Sequence, residues 1–304
     1  MSYQFQILLK TFENLKPFTM QNKLYNILVP VDFTAKNKWA IAKAIELANN
    51  FNCNIHLVHV VFNPVFPLIP IDASRFTPYA SHINMQACRE KLSTLKAAYK
   101  NQLCGGGEIE ISLLQGYPQV QLKQYIESYN MDMVVLGLSK FNLLERIISS
   151  ISISLLARKT NIPILAVRSS GLVSHFKKIV LPLWNDIPVE RVKLATMLAR
   201  SFKSTVYLVS LRSYIGHSQN NILDKTLELV QSVSTIPVQC FLLEGQNLAK
   251  STLDFSKRIN ADLILGQSVK EFRLPGLWNR ITNKLLSYAS KIPVLTFDKA
   301  TEQA

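Results

Sequence analysis

The sequence predicts an α/β protein in which two copies of one β-α-β-α-β-α-β-α-β unit follow each other. Three observations predict it. Five apolar segments recur in the same order in the two halves of the chain. Each is a short Val/Ile/Leu run bounded by polar or turn residues, the pattern of a strand buried on both faces in a parallel sheet. The stretches between them carry helical spacing, and such alternation closes as a doubly wound layer structure with right-handed crossovers.

The first strand is NILVPVD (26–32), matched by KIVLPLW (178–184), so Asp32 in one copy corresponds to Trp184 in the other. The helix expected over 36–51 places Ala40, Ala44 and Ala48 at i, i+4 and i+8, beside Trp39 and Leu47. Its partner over 187–202 does likewise with Val192, Ala195, Leu198 and Ala199, and Asp186 ahead of Pro188 is the expected N-cap. HLVHV (56–60) pairs with YLVSL (207–211), and SLLQGYP (112–118) with FLLEGQN (241–247). MDMVVLG (131–137) pairs with ADLILG (261–266), and IPILAV (162–167) with IPVLTF (292–297). The remaining helices are expected over 81–103, 119–129 and 147–160, then over 219–233, 247–259 and 279–290. Because both copies end alike, the two fifth strands are expected to meet.

The copies are bounded at 25–168 and 177–298, with an extension at 1–24, a linker at 169–176 and a tail at 299–304. Met20 offers an alternative start. The first copy is longer, mostly through NPVFPLIPIDASRFTPY (63–79), whose four prolines exclude regular helix or central strand. Its apolar residues are expected to pack against protein surface, over the first copy's own helices, as a lid at the sheet's carboxyl edge, or against the other copy.

Composition bounds the function. The 304 residues are 48% hydrophobic and 18% charged, which suits two ordinary globular domains. Cys53, Cys88, Cys104 and Cys240 are scattered without a C-x-x-C, as in the reduced thiols of a cytoplasmic protein. No apolar run approaches the ~18–20 residues that cross a bilayer, and the N-terminus lacks the pattern of a signal peptide. The formal charge of +14 divides into +7 over residues 1–171 and +7 over 172–304. An excess so diffuse, with no basic arm and no nucleic-acid motif, argues against a nucleic-acid partner.

Together the first-strand ILVPVDFT, the glycine of LLQGYP, the DMVVLG strand and the closing IPILAVR resemble the universal stress protein family. The resemblance covers almost the whole chain, in tandem form. It implies flavodoxin-like, Rossmann-like five-stranded parallel sheets that pair within the chain as a pseudo-dimer, and a stress-response role. In nucleotide-binding members the first-strand Asp holds the adenosine, here Asp32. The backbone near the end of the second strand, here Val60, receives the base. A loop of Gly, two residues, Gly, nine residues, Gly and Ser/Thr then cradles the phosphates, since backbone amides reach phosphate oxygens closely only where no Cβ intervenes.

In this sequence Gly116 and Gly137 are kept, but Lys140 stands where the second loop glycine belongs and Ser150-Ile151 where the closing pair belongs. The second copy keeps only Gly266, with Val269 and Asn279-Arg280 in the later places. Lys140, Arg146, Ser149 and Ser150 offer side-chain binding of an anion instead. Asp32 reads either as the N-cap of the following helix or as the surviving acid of an adenosine pocket. Trp184 reads either as an apolar plug over its sheet edge or as a stacking platform. His56 and His59 are read as sharing one strand face, too few for a metal site. No G-x-S-x-G, H-E-x-x-H or Walker lysine loop is present. The expectation is therefore a regulatory binding protein with no required cofactor and at most one weak nucleotide or anion pocket, in the first copy. It would bind a protein partner and could assemble further. The alternative is a weak ATP-hydrolysing protein using that pocket with magnesium.

Overall fold

A computed structural model describes residues 24–62, 84–138, 153–168, 175–184, 187–212, 218–267 and 290–297. Ten strands form one sheet in the order β3-β2-β1-β4-β5-β10-β9-β6-β7-β8. In the first half they are β1 (Asn26–Pro30), β2 (Asn54–Val61), β3 (Ile109–Gln115), β4 (Met133–Gly137) and β5 (Ile164–Val167). In the second they are β6 (Lys178–Pro182), β7 (Thr205–Leu211), β8 (Val238–Leu243), β9 (Leu263–Gln267) and β10 (Val294–Phe297). Within each half all pairings are parallel; β5 and β10 alone run antiparallel, with Leu165 opposite Leu295 at the centre of the seam. Strands of continuous Val, Ile and Leu suit a sheet covered on both faces, because neither side of the pleat meets water.

Seven helices are described: α1 (Lys36–Phe51), α2 (Met85–Lys100), α3 (Pro118–Ser128), α4 (Ile153–Thr160), α5 (Val189–Phe202), α6 (Ser218–Val233) and α7 (Leu248–Arg258). Sequence spacing placed α1 at its observed limits and overran α2 by a few residues at each end. Asn84 explains its true start, since its side chain accepts the amide of Ala87. The insert at 63–79, most of the linker and the helix expected over 279–290 lie outside the described residues.

Packing divides the two faces differently. On one face α1 and α5 lie together over the seam. Phe51, Phe176 and Phe202 meet there edge to face, and the buried cluster runs from Ile27 in β1 to Phe297 in β10. On the other face the cores stay separate, one around Leu28, Val134 and Ile164, the other around Val180, Ile264 and Val294. Leu24, assigned to the extension by sequence, is buried in the shared core. The domain edge therefore lies at least one residue earlier.

One device recurs in both halves. Asp132, just before β4, accepts the backbone N–H groups of Tyr25 and Asn26 through Oδ2 at 2.7 and 2.9 Å. Asp262, just before β9, accepts those of Lys177 and Lys178 at 2.9 Å each. Each carboxylate thus ties the start of its half's first strand to the strand beside it. Burial pushes the Asp132 carboxyl above the usual carboxylate range, and the two amides pull against that. Asp132→Ala and Asp262→Ala should each lower stability by about 1–3 kcal/mol, the loss of charge-assisted hydrogen bonds at a partly exposed strand start. Urea unfolding checks this; unchanged midpoints would mean that water replaces the carboxylates.

Candidate functional site

The strand order puts a crevice at the carboxyl edge of the first half. The chain winds from β1 outward to β2 and β3, then returns to β4 beside β1. Connections from β1 and β4 therefore leave in opposite directions, and ligands of open α/β sheets bind where this happens. Asp32 follows β1 and Gly137 ends β4, so the fold brings these two sequence-assigned residues to the two lips of the crevice.

Asp32 is not the N-cap of α1. Its Oδ1 accepts the hydroxyl of Thr34 at 2.6 Å and the Thr34 amide at 3.1 Å, closing a local turn, while α1 begins at Lys36 with no side-chain cap. Its Oδ2 pairs with Lys36 Nζ at 2.6 Å. Burial works against charge on this carboxyl, but Lys36 and Thr34 outweigh it and hold the pKa below the ordinary value of 3.8. The group stays ionised near neutral pH, with most of its acceptor capacity already used. The Asp32 N–H is turned inward to the Oδ1 of buried Asn37 at 3.1 Å.

Beside it, Phe33 takes a left-handed backbone, φ 60°. A non-glycine residue there is uncommon and marks a conformation held by its surroundings. The Phe33 ring centroid lies 4.5 Å from that of His59, and Lys91 Nζ sits over the Phe33 ring, 5.5 Å from its centroid. His59 Nδ1 lies 2.7 Å from the carbonyl oxygen of Val31. A carbonyl only accepts, so Nδ1 carries the proton. Sequence reasoning missed Phe33, Lys36 and His59 as members of this edge. The signals were present: a lysine four residues after the acid, and a histidine at the carboxyl end of the neighbouring strand.

His56 and His59 do not share a face. Three residues apart on a strand, they point to opposite sides of the sheet. His56 is buried against α3, with Nδ1 3.0 Å from the Tyr125 hydroxyl and 3.5 Å from Glu110 Oε2. Burial lowers its pKa, and Glu110 opposes the shift. Among the described residues no group of three His, Cys, Asp or Glu side chains could hold a metal ion.

The other assigned positions separate by role. Val60 is half buried in β2 opposite Leu114 of β3. Gly116 turns the chain from β3 toward α3 at φ 132°, and its amide donates to Val61 O at 3.0 Å, pinning the ends of β2 and β3 together. Gly137 has a packing reason of its own: a Cβ there would lie 2.1 Å from the Lys36 carbonyl oxygen. Lys140, Ser149 and Ser150 lie outside the described residues, as do the later loop positions of the second half.

The second half repeats the frame with different chemistry. Ser210 donates to Leu183 O at 3.3 Å, where His59 meets Val31 O. Arg191, buried in α5, donates through Nη1 to Pro182 O at 3.0 Å, an office the Asn37 amide fills at Pro30 O in the first half. Trp184 is 38% exposed, too open for a plug. Its neighbour Leu183 supplies the buried apolar contact instead.

Comparison with known proteins bears on the fold. Residues 24–168 match the model of the Universal stress protein family. A Staphylococcus aureus strain USA300 protein named as a "putative universal stress protein" is 27% identical over 154 residues, spanning 50% of this chain and 89% of the relative. Among solved structures, a universal stress protein from Archaeoglobus fulgidus superposes with a TM-score of 0.69 at 16% identity, over 93% of this chain and 99% of the other. A functionally unknown protein from Pseudomonas aeruginosa PAO1 gives 0.55 at 14% identity, over 91% and 93%. These likenesses extend the shared fold across both halves. No helix among the described residues is long and apolar enough to cross a membrane.

Proposed function

We propose, from the universal stress protein domain at 24–168, that the chain is a tandem protein of this type. Residues 177–298 would form a second copy, paired with the first through β5 and β10. It acts as a cytoplasmic stress-response binding protein without strong enzymatic activity. At most one pocket, in the first half, takes an adenosine-type nucleotide or a small anion, and weakly. A protein partner, not a cofactor, carries the response.

The observation that carries this reading is the contrast at matched positions. Asp32 is ionised yet already satisfied by Thr34 and Lys36, and its counterpart is a partly exposed Trp184. A ribose hydroxyl reaching Asp32 must compete with a lysine 2.6 Å away. The phosphate loop that would add affinity has lost two of its three glycines in each half. Losing two charge-assisted hydrogen bonds, at roughly 1.5–3 kcal/mol each, weakens binding by about two to four orders of magnitude.

Titration calorimetry of the whole protein with ATP and magnesium should therefore give no saturable binding, or binding in the millimolar range that Asp32→Ala weakens further. Micromolar or tighter binding, abolished by Asp32→Ala, would overturn the reading. It would show side chains standing in for the glycines, and ATP hydrolysis would then be the property to assay.

A further inference from the structure

We infer that the β8 edge of the sheet is a self-association surface on which a second copy of this chain pairs its own β8, antiparallel, about a two-fold axis through Cys240. The inference is independent of the nucleotide pocket.

Among the described residues the sheet has two unpaired edges, β3 and β8. Such edges present unpaired N–H and C=O groups and template further strands unless blunted by charge, proline or bulges. The β3 edge is blunted: Glu108 leads into it and Glu110 lies within it, half exposed. The β8 edge is not. No charged residue occurs from Leu229 to Leu243, a long neutral stretch in a chain of formal charge +14. Gln239, Cys240 and Phe241 are consecutive exposed residues of this strand.

The register says which groups are open. Pro237 O accepts from Val206 N, and Leu243 O accepts from Arg212 N, so residues 237 and 243 face β7. In a parallel ladder the facing residues alternate, so Gln239 and Phe241 face β7 as well. The backbone groups of Val238, Cys240 and Leu242 point outward. Pro237, the one residue that could block an edge, directs its missing N–H toward β7 and leaves the outer row intact.

That outer row is self-complementary. A two-fold axis at Cys240 sets Val238 against Leu242 of the second copy, Leu242 against Val238, and Cys240 against Cys240. Each pair exchanges both hydrogen bonds, as antiparallel pairing requires. No like charges meet within the paired strand; the nearest charge acting at the axis is Asp224, close enough to be felt by the Cys240 thiol. A negatively charged peptide would find no basic side chain in the strand to receive it, which favours a second copy as occupant. Strand pairing alone buries little area, so the dimer is of the weak, reversible class.

Sedimentation velocity over a concentration series of the whole protein should show a reversible dimer that tightens as salt screens the net charge. Paired Cα atoms in such a row lie about 5.5 Å apart, within disulfide reach. Mild oxidation of a Cys88→Ala/Cys104→Ala variant should therefore give a covalent dimer that Cys240→Ser abolishes. Cys240→Lys should weaken association by roughly tenfold or more by setting like charges opposite each other. Amide exchange at Val238, Cys240 and Leu242 should slow as protein concentration rises. A monomer at every concentration and salt, a dimer indifferent to Cys240→Lys, or exchange at these amides that ignores concentration would each overturn the inference.

Discussion

Phe176→Ala is expected to destabilise the protein by about 3–5 kcal/mol, the largest loss from any single substitution considered for this fold. Phe176 is 1% exposed, and its ring meets Phe202 of the second half edge to face at 5.2 Å. It also meets the first half, since Lys43 of α1 holds its ammonium 4.7 Å from the ring centroid. Lys43 is itself buried and pairs with Glu46 Oε2 at 2.5 Å. Truncation would open a cavity where the two halves join and remove the aromatic face from a desolvated cation, so cavity and electrostatic costs add. Urea unfolding followed by fluorescence and by circular dichroism gives the number. Because the core on this face is continuous across the seam, both probes should still report one transition. A loss below about 1 kcal/mol would mean that α1 and α5 close over the gap without cost.

Gly137→Ala is expected to cost about 3 kcal/mol, while Gly266→Ala, its counterpart, should stay within about 1 kcal/mol of the wild type. The added methyl at Gly137 meets the Lys36 carbonyl oxygen at 2.1 Å, a backbone atom at the start of α1 that yields only if the helix shifts. At Gly266 the nearest atom is the Val294 Cγ1 at 3.3 Å, and a side-chain adjustment relieves it. Chemical denaturation of the two variants side by side tests the contrast. Equal costs would show that α1 gives way freely, and the glycine at 137 would then need another explanation.

The strands were legible because a strand covered on both faces needs an uninterrupted apolar run, and NILVP or DMVVLG shows it without further context. The helix over 36–51 was legible from its alanine spacing. What escaped was decided by geometry between segments. Asp132 and Asp262 look like ordinary surface acids until β4 and β9 are seen beside β1 and β6. Residue type suggests burial for Trp184, yet it sits at the end of a strand with Leu183 already filling the apolar position. Asp32, singled out from the sequence, lies just past β1 at the crevice. Its engagement by Lys36 follows from the turn at Phe33, whose backbone no composition signal announces. Reading two histidines onto one face was an error of parity, since residues three apart on a strand always diverge.

The antiparallel meeting of β5 and β10 has a consequence for how the two carboxyl edges can change. In a dimer of identical chains every substitution appears twice, so neither site can be altered while its twin is kept. Here the partners share one chain, and a change in one leaves the other as it was. The linkage also holds the partners at a fixed, high effective concentration, so their union does not depend on how much protein the cell makes. One edge accordingly carries Asp32 and His59, and the other carries Trp184 and Ser210 at the corresponding strand ends. Covalent pairing lets the two halves of one sheet differ where identical chains could not.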